Sequence, residues 1–251
     1  SWPMRLLHIT DPHLHADPAA RMRGVCTDAT LRAVLAHATA APARPAAVLA
    51  TGDLVQDETR AGYRRFAALL GPLSVPVICV PGNHDAPDLM AEELGAPPFQ
   101  LGGSADFGPW RVVALNSWAP HDDGGALAAA ELGRLRAALA DPTPEHVLVT
   151  LHHHPVPMGS RWLDGVALRN PADLFAILDG DPRVRALLWG HVHQASDRVR
   201  GGLRLLSTPS TCAQFRPGSD TFALDGQPPG YRWLDLGTDG RLTTEVVWVP
   251  A

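Results

Sequence analysis

The sequence predicts an α/β fold, and three observations predict it: β-rich apolar runs alternate with helical patterns, His, Asp or Asn follows those runs, and no repeat or linker divides the 251 residues. Leu6 to Thr10, Ala47 to Thr51 and Pro76 to Val80 read as strands, with Thr27 to Ala40 and Thr59 to Leu70 as the helices between them. A βαβαβ order implies parallel strands, right-handed crossovers and helices on both faces of the sheet. Functional groups in such sheets gather beyond the carboxyl ends of the strands. Further on, Trp110 to Leu115, His146 to Leu151 and Val184 to Trp189 are strand-like, with helices near Ala128 to Ala140 and Pro171 to Asp179. After Gly190 the pattern turns mostly β. Val199 to Leu206 around Gly201-Gly202, Tyr231 to Leu236, and Thr243 to Val249 after Asp239-Gly240 read as hairpin strands of a second sheet. Pro42 to Pro45 and Pro228 to Gly230 read as turns. The expectation is one domain over residues 1–251.

Composition bounds the function. Apolar residues at 45% and charged residues at 19% are globular values, and a chain of this length buries about three quarters of its unfolded surface. A net charge of -5 argues against nucleic acid as a partner, since broad electrostatic capture needs a basic face. Cys26, Cys79 and Cys212 are too scattered for a disulfide framework or a thiolate zinc site, which fits a reducing, cytoplasmic setting. The apolar start at Met4 to Ile9 is too short for a signal-peptide core or a membrane span. The chain reads as soluble, with no membrane partner and no signal for oligomeric state.

Five segments place His, Asp or Asn just past an apolar strand: Asp11-Pro-His13, Gly52-Asp53, Gly82-Asn83-His84-Asp85, His152-His153-His154 and Gly190-His191-Val-His193. Each alone could be a capped turn or a solvated loop. Loops at one edge of a sheet converge, however, and together these would build a cluster of imidazole and carboxylate. Asp11 and His13 are two apart, as are His191 and His193, so in extended backbone each pair points one way and can bind metal. A central carboxylate such as Asp53 has two oxygens and can bridge cations about 3.5–4 Å apart, the separation used in two-metal hydrolysis. Glycines beside Asp53, Asn83 and His191 suit tight turns and positive φ.

Other histidines take plainer roles. His8 lies inside the first strand, His37 in a helix, and His121 and His146 in loop-like contexts, so all four read as structural or surface residues. His15 continues the spacing of Asp11 and His13 without a needed role. His152 follows its strand directly and is the natural ligand of the triple, whereas His153 and His154 read as supporting or pocket residues.

This motif set resembles the calcineurin-like metallophosphoesterases. Beyond it, His152 to Pro157, Trp162-Leu163-Asp164, Leu168-Arg169-Asn170 and Thr208 to Phe215 resemble the bacterial class III 3',5'-cyclic AMP phosphodiesterases, a resemblance running from about Met4 to Val247. It implies a four-layer αββα sandwich of two mixed β-sheets flanked by helices. It further implies two divalent metal ions, iron and/or manganese before zinc or cobalt: one on Asp11, His13, Asp53 and His193, the other on Asp53, Asn83, His152 and His191. His84 would contact the scissile phosphate as the catalytic residue, with His13, Asp53, Asn83 and His193 also facing the substrate. Many members of the superfamily read Gly-Asp-x-x-Asp, the second Asp orienting the catalytic His. Here that position is Gln56, and the carboxylate falls one later at Asp57, as in the cyclic AMP subgroup.

The implied reaction is hydrolysis of 3',5'-cyclic AMP to 5'-AMP by a hydroxide bridging the two metals, with no protein nucleophile. Trp162, Arg169, Asn170, Gln214 and Phe215 are residue types able to stack on a base or bond to its edges. A broader phosphodiesterase acting on 2',3'-cyclic nucleotides or glycerophosphodiesters is the enzymatic alternative, and a dead nucleotide-binding protein is the other. Intact ligands and His84 argue against the second.

Overall fold

Side chains alternate across the Met4–Ile9 strand, and that alternation sets the layering. Leu7 and Ile9 join a cluster with Leu31, Val34, Phe66 and Leu70 of two helices, whereas Leu6 joins Val112, Leu148 and Leu188 of a second sheet. The computed structural model describes residues 4–250; Ser1 to Pro3 and Ala251, the ends of the expected single domain, lie outside the described residues.

In the first sheet Met4–Ile9, Ala47–Ala50, Val77–Cys79 and Phe99–Leu101 lie side by side and parallel. Helices Thr27–Thr39 and Arg60–Leu70 make the crossovers, the second capped by the Thr59 hydroxyl, which accepts from Gly62 N at 3.1 Å. The second sheet has Trp110–Ala114, His146–Leu151, Val184–Trp189 and Leu203–Ser207 parallel, with Gly103–Phe107 and Ser196–Arg200 added antiparallel at its edges. Ala129–Ala140 and Pro171–Leu178 cover its outer face through Leu132, Leu135, Leu174 and Phe175. The four-layer αββα expectation is met: two mixed sheets face each other between helices.

The C-terminal strands depart from expectation. Gly230–Leu236 pairs antiparallel with Met4–Ile9, and Leu242–Trp248 pairs with Gly230–Leu236, so this hairpin completes the first sheet instead of building the second. The second sheet comes from residues 103–207. The helix Pro87–Glu93 and the edge strands Phe99–Leu101 and Gly103–Phe107 carry too short a period to be read beforehand. His146 opens the strand His146–Leu151 and is buried, which corrects its loop-like reading. No helix among the described residues is long and apolar enough to cross a membrane.

Candidate metal centre and substrate cleft

The loops that leave the strands are zipped to one another by backbone bonds. Asp11 N donates to Gly52 O at 3.0 Å, His13 N to Asp53 O at 2.9 Å and Gln56 N to Leu14 O at 2.7 Å. The extended geometry expected for the two His-bearing pairs is absent: Asp11, His13, Asp53, His191 and His193 all take positive φ, between 47° and 72°. Such conformations cost non-glycine residues on the order of 1–3 kcal/mol each and persist where the surroundings over-determine them. Gly52 has the expected positive φ at 101°. Gly82 and Gly190 serve differently, by lacking a side chain. A Cβ on Gly82 would collide with Asp53, and one on Gly190 with Thr10 and Asp11.

The donors fall into two clusters. In one, Asp11 Oδ1 lies 3.6 Å from His13 Nε2 and 3.2 Å from His193 Nε2, and the two imidazole nitrogens are 3.1 Å apart. In the other, His152 Nε2 lies 3.1 Å from His191 Nδ1 and 3.2 Å from Asn83 Oδ1. Asp53 Oδ2 stands between them, 3.7 Å from His13 Nε2 and 3.4 Å from His152 Nε2. Metal–nitrogen bonds of about 2.1 Å place neighbouring donors on one cation about 3 Å apart, which these spacings match. His191 and His193 therefore divide between the clusters instead of closing on one ion.

Hydrogen bonds on the far sides of the rings fix which nitrogen faces inward. His152 Nδ1 donates to Thr51 O at 2.6 Å, His193 Nδ1 to Ala213 O at 2.7 Å and His191 Nε2 to Val166 O at 3.0 Å. His13 Nδ1 donates to Gln56 Oε1 at 2.7 Å. Each bond commits the outer nitrogen's proton and leaves the inner lone pair aimed at the cluster, the arrangement that prepares imidazole for a metal. The carboxylates are held likewise. Asp11 Oδ2 accepts from the Thr10 hydroxyl at 2.6 Å and His191 N at 2.9 Å, while its buried Oδ1 has no hydrogen-bond partner among the described residues. Asp53 Oδ1 accepts from His84 N at 2.9 Å, freeing Oδ2. An orphaned buried carboxylate oxygen among four inward lone pairs fits divalent cations.

Electrostatics agree. Burial opposes charge on Asp53, but the neighbouring His152 holds its carboxyl below the usual range, and Asp11 is likewise held ionised against burial by His152 and His193. Burial also opposes a proton on His152, yet Asp53 and Asp11 raise it to about 9. His152 would give up that proton on taking a cation, as metal-ligating imidazoles must.

His84 and Asn83 are half-buried at the cleft, and the His84 ring meets His13 edge-on at 5.5 Å. Neither Gln56 nor Asp57 orients it: Gln56 serves His13, and Asp57 accepts from Ala16 N and the Thr59 hydroxyl. Asp85 is a supporting residue the motif did not explain. Its carboxylate accepts from Leu54 N, Val55 N, Gly82 N and the Tyr63 hydroxyl at 2.7–3.3 Å, locking the Asp53 loop to the Asn83 loop. Burial, with Asp53 nearby, pushes it up to about 6.

His153 sits against His152 and His191, but both its nitrogens are engaged, by the Ser117 hydroxyl and the Asp123 carbonyl, so it supports and does not ligate. His154 stacks on His191 with centroids 5.5 Å apart and has its Nε2 3.3 Å from Asp164. His15 pairs with the Thr27 hydroxyl at 3.3 Å and joins neither cluster.

Above the donors lies a cleft of about 300 Å³ whose walls include His84, Asp123, Trp162, Phe215, Met22 and Arg23. Of the five suggested base contacts, Trp162 and Phe215 line it. The other three pack elsewhere: Arg169 pairs with Asp122, Asn170 bonds to Leu127, and Gln214 is tied to Ser210 and Pro228. Arg23 escaped sequence reading, its only signal being the Arg23-Gly24 turn of a two-strand ribbon, Arg21–Met22 with Val25–Cys26.

Residues 4–195 match the calcineurin-like phosphoesterase family. The chain is 44% identical to the 3',5'-cyclic adenosine monophosphate phosphodiesterase CpdA of Pseudomonas aeruginosa over 96% of this chain and 88% of the relative. It is 40% identical to the protein of the same name from Escherichia coli K12, over 97% of this chain and 89% of the relative. A dimetal phosphatase from Danio rerio superposes with a TM-score of 0.67 over the full length of both chains at 18% identity, a likeness of fold.

Proposed function

The chain belongs to the calcineurin-like phosphoesterase family, and from that premise we propose that it hydrolyses 3',5'-cyclic AMP to 5'-AMP at a centre holding two divalent cations. Asp11, His13, Asp53 and His193 would hold one, and Asp53, Asn83, His152 and His191 the other. The observation that carries this is the outward hydrogen bonding of four imidazoles in two clusters, with Asp53 Oδ2 between His13 of one and His152 of the other. The cations supply Lewis acidity and a nucleophile from water near neutral pH. Iron and/or manganese suit the all-nitrogen and oxygen donor set, as do zinc and cobalt.

The chain's own residues do the rest. His84, at the mouth of the donor clusters, protonates the departing 3' oxygen or stabilises charge on the phosphoryl oxygens. His13, Asp53, Asn83 and His193 face the same space and set the register of the phosphate. The whole chain would act as one domain, the C-terminal hairpin completing the sheet that carries Asp11. Three free thiols support the cytoplasm as its compartment.

The substrate rests on the near full-length relatives whose names carry this activity. The test is kcat/KM for 3',5'-cyclic AMP, 2',3'-cyclic AMP and a glycerophosphodiester on one metal-reconstituted preparation, with products identified by chromatography. Formation of 5'-AMP with the highest kcat/KM supports the reading. No 5'-AMP while another ester turns over well leaves the broader phosphodiesterase in its place.

A further inference from the structure

An aromatic wall runs from the metal donors to the rim of the cleft. Phe215 stacks on His193 at 4.0 Å with 19° between planes, and Trp162 meets both Phe215 and Phe222 edge-on at 5.0 and 5.3 Å. At the outer end the Arg23 guanidinium lies 4.1 Å from the Phe222 centroid and 5.4 Å from that of Phe215. Phe222 is 45% exposed, a large apolar ring left partly open to solvent at the rim.

Arg23 is uncommitted. Among the described residues its side chain makes no hydrogen bond and no ion pair, although it lines the cleft. A guanidinium lying on a ring keeps its in-plane N–H fork free for an acceptor. The phosphate end of a substrate is already served by the donor floor, and one ring, Phe215, separates His193 from Arg23. That step is comparable to the ribose between the phosphate and the base of a cyclic nucleotide. A purine base there would have its face against the aromatic wall and its N7 acceptor within reach of one N–H of the guanidinium.

Resting on the cyclic nucleotide reading above, we infer that Arg23, held flat by Phe222, is a specificity-determining residue that grips the purine base of the substrate. It acts on binding. Arg23→Ala therefore raises KM for 3',5'-cyclic AMP on the order of tenfold with little change in kcat. Arg23→Lys restores little, because a lysine has neither the planar fork nor the stacking face. Phe222→Ala shifts KM in the same direction.

The experiment measures kcat and KM of wild type, Arg23→Ala, Arg23→Lys and Phe222→Ala, each with its metal content checked, on 3',5'-cyclic AMP and on methyl 4-nitrophenyl phosphate, a diester without a base. The expected result is a roughly tenfold fall in the ratio of kcat/KM for the nucleotide to that for the base-free diester. An equal fall on both substrates assigns Arg23 to the phosphate and overturns the inference, as does no fall on either. If the wild type itself makes no 5'-AMP, the underlying substrate reading has failed instead, which the same wild-type measurement reveals before any variant is compared.

Discussion

Replacing Gln56 by leucine isolates the force that aims His13. The Gln56 side-chain carbonyl accepts from His13 Nδ1 at 2.7 Å, and His13 is only 3% exposed, so the variant strands a buried N–H. Leaving such a donor unpaired costs about 1–3 kcal/mol, roughly 5- to 150-fold in an equilibrium constant. Loss of a hydrogen bond that orients a metal-ligating histidine typically costs about 10–100-fold in metal affinity or activity, in the same range. The penalty falls on one cluster. His152 and His191 keep their own acceptors, Thr51 O and Val166 O, whatever residue stands at 56. Titration of metal-free protein with manganese or cobalt against a competing chelator should show one affinity weakened about 10–100-fold and the other near wild type, with kcat following double occupancy. Gln56→Glu, which keeps an acceptor, should bind both cations. Equal weakening of both sites in Gln56→Leu, or no weakening, refutes the orienting role.

Three further outcomes are expected. His84→Ala should retain both metals by elemental analysis while kcat falls about 10²–10⁴-fold, the usual contribution of a positioned acid; near wild-type turnover removes His84 from the chemistry. Gly82→Ala should lose metal and activity together, because the added Cβ meets Asp53, and intact metal content in that variant would show that the Asp53 loop can yield. Burial, reinforced by Arg232, pushes His8 down to about 3 from 6.5, so the unfolded chain takes up that proton first as pH falls. Its contribution is whole above about pH 6.5 and is lost progressively towards pH 3, at about 1.4 kcal/mol per unit. Urea unfolding of metal-free His8→Gln should show a shallower decline over that window, and an unchanged slope would clear His8 of it.

The donor residues were legible because a parallel sheet puts its strand ends together, so Asp11, Asp53, Asn83, His152, His191 and His193 announce themselves by following apolar runs. The local geometry was not. A spacing of two suggests extended backbone, but Asp11, His13, His191 and His193 adopt left-handed φ because loop-to-loop hydrogen bonds hold them there. The partner of the C-terminal hairpin was equally hidden: alternation in Gly230–Leu236 identifies a strand and says nothing of which strand lies beside it. Gln56 read as a departure from a carboxylate pattern, when its work is with His13, across a turn that only the fold closes. Arg23 had no period, no charge partner and no motif, and only the folded ribbon brings it to the cleft.

The most direct test of the central claim is anomalous diffraction from crystals of fully metal-loaded protein, collected on either side of the absorption edge of the metal used. Two peaks about 3.5–4 Å apart, with Asp53 Oδ2 touching both and Nε2 of His13, His152 and His193 and Nδ1 of His191 facing them, are the predicted result. A single peak, or an Asp53 carboxylate bound to one cation alone, would contradict it.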